Sequence, residues 1–314
     1  MRKATAFAPA TIANVAVGFD VLGFSFDEVG DHVSVTLAEE GSIPDGVCIS
    51  GIEGPDDLPL DPMRNTAAVA LRAMRRDLGI SACFSVELRK GIPIGSGMGG
   101  SAASAVGAVV AANALLDRSL PHEELLAWAI EGEIAASGDA HADNVAPCLH
   151  GGLTAVFPGD PPEILTLPVP EGLSCVLVRP QMRMDTREGR AALADTILLA
   201  DHAEQSARLA GFIAGCFRGD ARLMGRAMVD ILVEPQRSGQ IPGFDSARTA
   251  ALDAGAIACS MAGSGPSIFA WCVEPDIADA VQSAIRASFE ENSTVTDSWI
   301  SAVPGSAARV LEQA

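Results

Sequence analysis

The alternation of apolar and polar positions predicts strands and helices in two α+β halves. Residues 4–8 alternate weakly and predict a short strand, and 32–37, 47–50 and 83–89 predict three more. Between them, 65–78 carries apolar residues at helical spacing and stops at Gly79, a natural helix terminator. A run of small apolar residues over 101–116 predicts a second helix, and Pro121 opens a third that reaches Ser137 and ends near Gly138. Residues 152–157 and 173–179 predict strands. The Pro158-Gly159-Asp160-Pro161-Pro162 tract between them is the sharpest break in the chain and divides it into 1–157 and 163–314. In the second half, helices are expected from Thr186 and over 200–217, 220–232, 244–254 and 276–290, with strands over 256–261, 267–273 and 294–301 and a short tail. Strict βαβ alternation is missing, which argues against a doubly wound sheet, and no repeat or low-complexity tract interrupts the pattern.

One stretch breaks the periodicity by design. Gly95, Gly97, Gly99 and Gly100 fall within six residues, directly before the helix that begins near Ser101. Glycines allow positive φ and leave backbone N–H groups uncovered, and a helix N-terminus adds a positive dipole end, so this is an anion site suited to a nucleotide phosphate. The residues Gly95, Gly97 and Gly100 satisfy G-x-G-x-x-G, but the strand and acidic residue that a dinucleotide fold needs about 20 residues on are replaced by helix. A Walker A loop needs a lysine that is absent here. A helix-capping phosphate loop of another kinase type remains, beside the plain alternative of a glycine-rich turn capped by Ser101.

Charge narrows the class. Against 40 acidic residues stand 21 basic ones, a net charge of −19, which argues against nucleic-acid or anionic-membrane surfaces. A chain this acidic that binds a polyanion must gather its few cations at the site. Seven cysteines without C-x-x-C pairing read as reduced core thiols of a cytoplasmic protein, and no zinc spacing is present. The N-terminus does not read as a signal peptide, and 101–116 is too short to span a membrane.

Polar residues embedded in apolar surroundings mark further candidates, since a buried polar group needs a partner. Asn14 and Asp20 interrupt the apolar stretch from Ala8 to Gly23, either as turn formers or as a pair lining a pocket. Glu131, Glu133, His141, Asp143 and Asn144 crowd around one helix end, either as a solvated tail or as a metal–nucleotide site. Glu234-Pro235-Gln236-Arg237 forms a polar elbow, and Ala262-Gly263-Ser264-Gly265-Pro266 is either a tight hairpin or a second backbone nest facing the glycine loop.

Three of these stretches resemble the three motifs of the GHMP small-molecule kinases: the segment from Ala8 to Gly23, the loop Pro93 to Ser104, and Gly263-Ser264-Gly265-Pro266. His141 to Pro147, Thr186 with Arg190, and Glu234 to Arg237 bring the likeness nearest to members acting on the amino alcohol L-homoserine. The resemblance runs almost end to end and implies a two-domain fold, a ribosomal protein S5 domain 2-like half followed by a ferredoxin-like half, with ATP and Mg2+ at their junction. It implies that Pro93, Ile94, Gly95, Ser96, Gly97, Met98, Gly99, Gly100, Ser101, Ala102 and Ala103 wrap the phosphates, and that Ser101 and Glu133 hold the metal. It also implies that Asn14, Asp20, His141, Asn144, Thr186, Arg190 and Arg237, with Gly263 and Ser264, line the homoserine pocket. The product would be O-phospho-L-homoserine, a step of threonine biosynthesis, made by a cytoplasmic homodimer.

The chemistry is consistent with that substrate. An ammonium needs a carboxylate, for which Asp20 serves, and a carboxylate needs a guanidinium fork, for which Arg190 and Arg237 serve. Asn144 can aim the hydroxyl, because phosphoryl transfer needs positioning and charge neutralisation more than deprotonation; Asp143 is the nearby candidate base. A kinase for another alcohol, such as mevalonate or a sugar, and a catalytically silent ligand-binding relative are the alternatives. The chain departs from the family loop at Met98, where leucine is usual, and at Gly100, where serine is usual. The missing hydroxyl removes one phosphate or cap contact, so Gly100→Ser is expected to lower the KM for ATP; an unchanged or raised KM in steady-state kinetics refutes this.

Overall fold

The structure is a computed structural model that describes residues 2–54, 58–138 and 142–314. The first half is built on a seven-stranded sheet. β1 (Lys3–Ala13) lies antiparallel along β2 (Leu22–Ala38). β4 (Cys83–Arg89) pairs antiparallel with β2, and β3 (Val47–Glu53) runs parallel to β4. The far end of β2 pairs with β5 (Leu153–Phe157), which continues into β6 (Glu163–Leu167). The last strand of the chain, β11 (Arg309–Gln313), returns to the outer edge of β1.

Two of these pairings differ from the expected division of the chain. The Pro/Gly tract at 158–162 is the turn of the β5–β6 hairpin, and the expected C-terminal tail is a strand of the first sheet. A Pro- and Gly-rich turn between two elements looks the same in sequence whether the elements share a sheet or not. The strand expected over 4–8 also runs on to Ala13, which carries it into the site described below.

Helices cover this sheet. α1 (Thr66–Leu78) starts where the Asn65 side chain accepts N–H groups of Ala67 and Ala68, and it stops at Gly79 with φ 63°. α2 (Gly100–Ala114) is buried nearly all round, which explains its small residues: a Cβ at Gly107 would run into Val33 of β2. Its N-cap is Gly99 in the left-handed region, so Ser101 belongs to the first turn and is not the cap. α3 (His122–Ser137) packs on α1 and α2, and α4 (Ala142–His150) packs on β1, β2 and β5.

The second half has a four-stranded antiparallel sheet in the order β10-β7-β9-β8. These are β7 (Ser174–Pro180), β8 (Ala258–Met261), β9 (Ile268–Cys272) and β10 (Thr296–Ala302). Its helices are α5 (Thr186–Ala191), α6 (Leu199–Arg218), α7 (Ala221–Ala227), α8 (Glu234–Arg237), α9 (Phe244–Asp253) and α10 (Pro275–Glu291). The helix expected over 220–232 ends at Ala227. The Asp230 carboxylate takes the N–H groups of Leu232, Val233 and Glu234 at 2.8, 2.9 and 2.9 Å, a local bonding pattern that competes with the helical one. All seven cysteines are free thiols, six of them buried. Among the described residues no helix is long and apolar enough to cross a membrane.

One core cluster runs through both halves, and a second is confined to the second half. Phe24 of β2 meets Phe269 and Trp271 of β9 edge-on, with ring centroids 5.8 and 5.3 Å apart, and all three are fully buried. This contact sets the two sheets against each other and so fixes the cleft between them. Phe24→Ala is expected to cost about 3–5 kcal/mol and to lower a single cooperative transition in thermal unfolding; a lowered midpoint for one half alone would mean the core is not shared.

Candidate active site

The glycine loop before α2 is pinned by its carbonyls. Gly95 O accepts from Met184 N at 3.0 Å, Ser96 O from Ser267 N at 3.3 Å, and Met98 O from Thr11 N at 3.1 Å. None of the N–H groups from Gly95 to Ser101 donates a hydrogen bond to a described residue. The carbonyls therefore anchor the loop to three other segments while its amides stay available to an anion, at the N-terminus of a 15-residue helix. Gly95, Gly97 and Gly99 have φ of 62°, 77° and 67°. A Cβ at Gly97 would strike the carbonyls of Ala262 and Gly265, and one at Gly99 would strike Thr11 and Asn144, so close approach as well as φ excludes side chains here. At Gly100 the demand is milder: a Cβ would stand 3.2 Å from Ile92 Cγ2 and 3.7 Å from Lys90 Nζ.

Of the expected loop contacts, Pro93 to Ser101 line a cavity of about 630 Å³. Ala102 and Ala103 do not line it; their methyl groups are buried in the core, because helical geometry turns them away from the loop.

Ser101 and Glu133 come together as expected. The Glu133 carboxyl is buried, and burial raises its pKa to about 7 against the opposing hydrogen bond from Ser101 and the charge of Lys90. Glu131, two residues away, instead faces solvent and pairs with Arg76 at 3.0 Å. Lys90 escaped the sequence reading. At the end of β4 its buried ammonium pairs with the fully buried Asp31 and donates to Gly100 O at 2.7 Å and Ser104 Oγ at 2.8 Å. Asp31 also accepts Gly91 N and Ile92 N, both at 3.1 Å. A lone lysine after a strand has no signal of its own in sequence; only the fold places it beneath the loop.

At the other end of the cavity the chain after β1 makes a strained turn, with φ of 69°, 47° and 59° at Asn14, Val15 and Ala16 and 57° at Asp20. Asn14 holds it: its Oδ1 accepts Asp20 N at 3.1 Å and its Nδ2 donates to Gly263 O at 2.9 Å. The segment 262–266 is both the β8–β9 hairpin and a neighbour of the glycine loop, and Gly263 and Ser264 line the cavity. Asp20 forms a two-point pair with Arg190 Nη2, at 2.8 and 2.9 Å. Arg190 and Arg237 both lie over the Phe19 ring, 5.3 and 5.5 Å from its centroid, and Arg237 Nε donates to Gly189 O at 2.9 Å.

Asn144 sits between the two ends. Thr11 Oγ1 donates to its Oδ1 at 2.8 Å, which leaves the Asn144 Nδ2 donors for the cavity; Thr11 is a second residue that the sequence reading passed over. Asp143 is buried, and its Oδ1 has no hydrogen-bond partner among the described residues. Burial first, then Asp20 and Glu133, raise its pKa to about 7. Thr186 opens α5, but its side chain, like His141 altogether, lies outside the described residues.

The lining concentrates charge as an acidic polyanion binder requires. Among described residues, Arg64, Lys90, Arg183, Arg187, Arg190 and Arg237 face Asp20, Glu133, Asp143 and Asp185, six cations to four carboxylates in a chain of net charge −19.

A raised carboxyl pKa sets a sign for stability. The folded chain holds the Asp143 proton more tightly than the unfolded one, so its contribution is full at low pH and is lost as pH climbs from 3.8 to about 7. Asp143→Asn is expected to remove that loss, a gain of roughly 4 kcal/mol at most from about 1.4 kcal/mol per pH unit. It is read as a smaller fall in Tm between pH 5 and pH 8 than in the wild type, with the residual fall due to Glu133. An unchanged fall refutes the assignment.

Comparison with known proteins gives the family. Residues 65–152 match the family described as GHMP kinases N terminal domain, and 212–291 match GHMP kinases C terminal. A homoserine kinase of Xylella fastidiosa is 44% identical over 309 residues, covering 98% of this chain and 94% of that protein. One of Chlorobium phaeobacteroides is 43% identical over 320 residues, covering 99% and 100%. The crystal structure of homoserine kinase from Cytophaga hutchinsonii superposes with a TM-score of 0.94 at 42% identity, covering 98% of this chain and 97% of that one. With both family segments in place and this likeness running through the cavity from end to end, the chain belongs to the homoserine kinase branch of the GHMP kinases.

Proposed function

We propose that the chain transfers the γ-phosphoryl group of ATP to the side-chain hydroxyl of L-homoserine, giving O-phospho-L-homoserine and ADP. The observation that carries this reading is one cavity with bare loop amides at one end and the Asp20–Arg190 pair beside Arg237 at the other. The first end suits a polyphosphate. The second suits a small zwitterion and nothing that lacks either charge.

Asp20 and Arg190 hold each other across the cavity. Homoserine would exchange this pair for two: its ammonium takes Asp20 and its carboxylate takes Arg190, with Arg237 fixed alongside by Phe19 and Gly189. A ligand with one charge would leave the other partner uncompensated, which favours an amino acid over mevalonate or a sugar.

The substrate hydroxyl then lies near Asn144, whose Nδ2, set by Thr11, donates to the hydroxyl oxygen and leaves its lone pair and proton free to turn. The oxygen attacks the γ-phosphorus in line, the bond to ADP breaks, and the proton leaves with the phosphate or to Asp143. A carboxyl with a pKa of about 7 is matched to accept a proton near neutral pH. The helix N-terminus adds positive potential where the phosphates would lie.

Ser101 and Glu133 fit a divalent cation: both donors are hard oxygens, already hydrogen-bonded to each other. Mg2+ bound there would neutralise charge on the transferring group.

An assay of ADP release with L-homoserine, mevalonate and galactose tests the reading. Turnover is expected with homoserine alone. In Asp20→Ala, kcat/KM for homoserine should fall about 10–100-fold, the equivalent of losing a hydrogen bond to a charged group. Tm should move little, because a half-exposed pair contributes only about 0–1 kcal/mol. Intact turnover in Asp20→Ala would exclude an amino-acid substrate, and no ADP with any alcohol would favour a silent binder.

A further inference from the structure

The second half of the chain lays a cation across the glycine loop. Arg183 lies in the segment joining β7 to α5, and the N–H of the next residue, Met184, anchors this segment to Gly95 O at 3.0 Å. A Cβ at Gly95 would run into Arg183 Cγ and stand 3.2 Å from Cδ. The arginine stem therefore crosses directly over Gly95, in the space that the missing side chain leaves. Gly95 serves two ends at once, its φ of 62° and the passage of this side chain. Arg183 is exposed and lines the cavity, within a side chain's reach of the unengaged loop amides.

Arg64 and Arg187 also line the cavity, but the side chain nearest the Cβ position of Gly95 is that of Arg183. Lys90 is tied to Asp31 beneath the loop, and Arg190 and Arg237 stand at Phe19, at the amino-acid end. Arg183 alone among these four is seated on the loop from the C-terminal side. We propose that Arg183 binds the polyphosphate of the nucleotide, so that ATP is held by loop amides from the first half of the chain and a guanidinium from the second. The assignment rests on reading this cavity as the ATP site. A planar fork with five donors suits phosphate oxygens, and in a chain of net charge −19 an added cation at the loop offsets the repulsion that a polyanion meets on entry.

The competing role is packing, with the stem merely covering Gly95. Arg183→Met separates the two, because it keeps an apolar stem over the loop and removes the charge. Calorimetric titration of the full-length protein with ATP, ADP and adenosine is the test. In Arg183→Met, ATP affinity should fall about tenfold, adenosine affinity should change less than about twofold, and the salt dependence of ATP binding should flatten. Arg183→Lys should recover part of the loss, and Arg183→Gln, a second uncharged variant, should repeat it. ATP affinity within about twofold of wild type in both uncharged variants overturns the assignment, as does an equal loss for ATP and adenosine, which indicates packing. If the wild type binds no ATP, the nucleotide reading fails and this assignment with it; if the wild type binds ATP and the uncharged variants bind it equally, the Arg183 assignment alone fails.

Discussion

The site depends on a loop held by its carbonyl oxygens. Backbone polar groups come in pairs, and burying one without a partner is costly. In the segment from Gly95 to Met98 three carbonyls are satisfied by Met184, Ser267 and Thr11, each from a different part of the chain. The amides are left over, in residues that line the cavity at a helix N-terminus. A loop built this way is rigid before any anion arrives, so ligand binding need not meet the cost of ordering it.

The same constraint explains why the glycines are where they are. Rigid anchoring to three partners brings the loop so close to Ala262, Gly265, Thr11, Asn144 and Arg183 that no Cβ fits at 95, 97 or 99. Beneath the loop the buried Lys90–Asp31 pair works in the same direction. Asp31 collects the N–H groups of Gly91 and Ile92, and Lys90 takes the carbonyl of Gly100, so one ion pair ties the end of β4 to the start of α2. A buried pair of this kind survives only when its remaining hydrogen-bonding capacity is filled, and here it is.

The two halves of the chain are not independent supports for the site. Phe24 against Phe269 and Trp271 joins their cores, and the Asn14–Gly263 bond joins their loops. Asp20 comes from the first half and Arg190 from the second, so this charge pair spans the junction. Any relative motion of the halves would alter both subsites together, which suits a reaction that must hold two substrates in line.

Much of this was legible in the residues. The amphipathic spacing of 65–78 with Gly79 after it gave α1 within a residue, Asn65 being its cap and not its first turn, because local capping and periodicity decide helix ends. Glycine spacing before a small-residue helix marked the loop, and the resemblance of three motifs picked out Ser101, Glu133, Asn14, Asp20, Asn144, Arg190 and Arg237, all of which line one cavity with it. Tertiary structure alone decided the rest. That β6 and β11 join the first sheet depends on pairing between residues far apart in sequence, which no local pattern encodes. That α7 stops at Ala227 depends on which way Asp230 turns its carboxylate. Lys90, Asp31, Thr11 and Arg183 carry no sequence signature, since a lysine, an aspartate, a threonine or an arginine becomes part of a site only when the fold brings it to one. The sequence by itself determined which backbone is built like an anion site, because glycine and helix geometry are local; the structure decided which charges meet there, because charge acts through space and not along the chain.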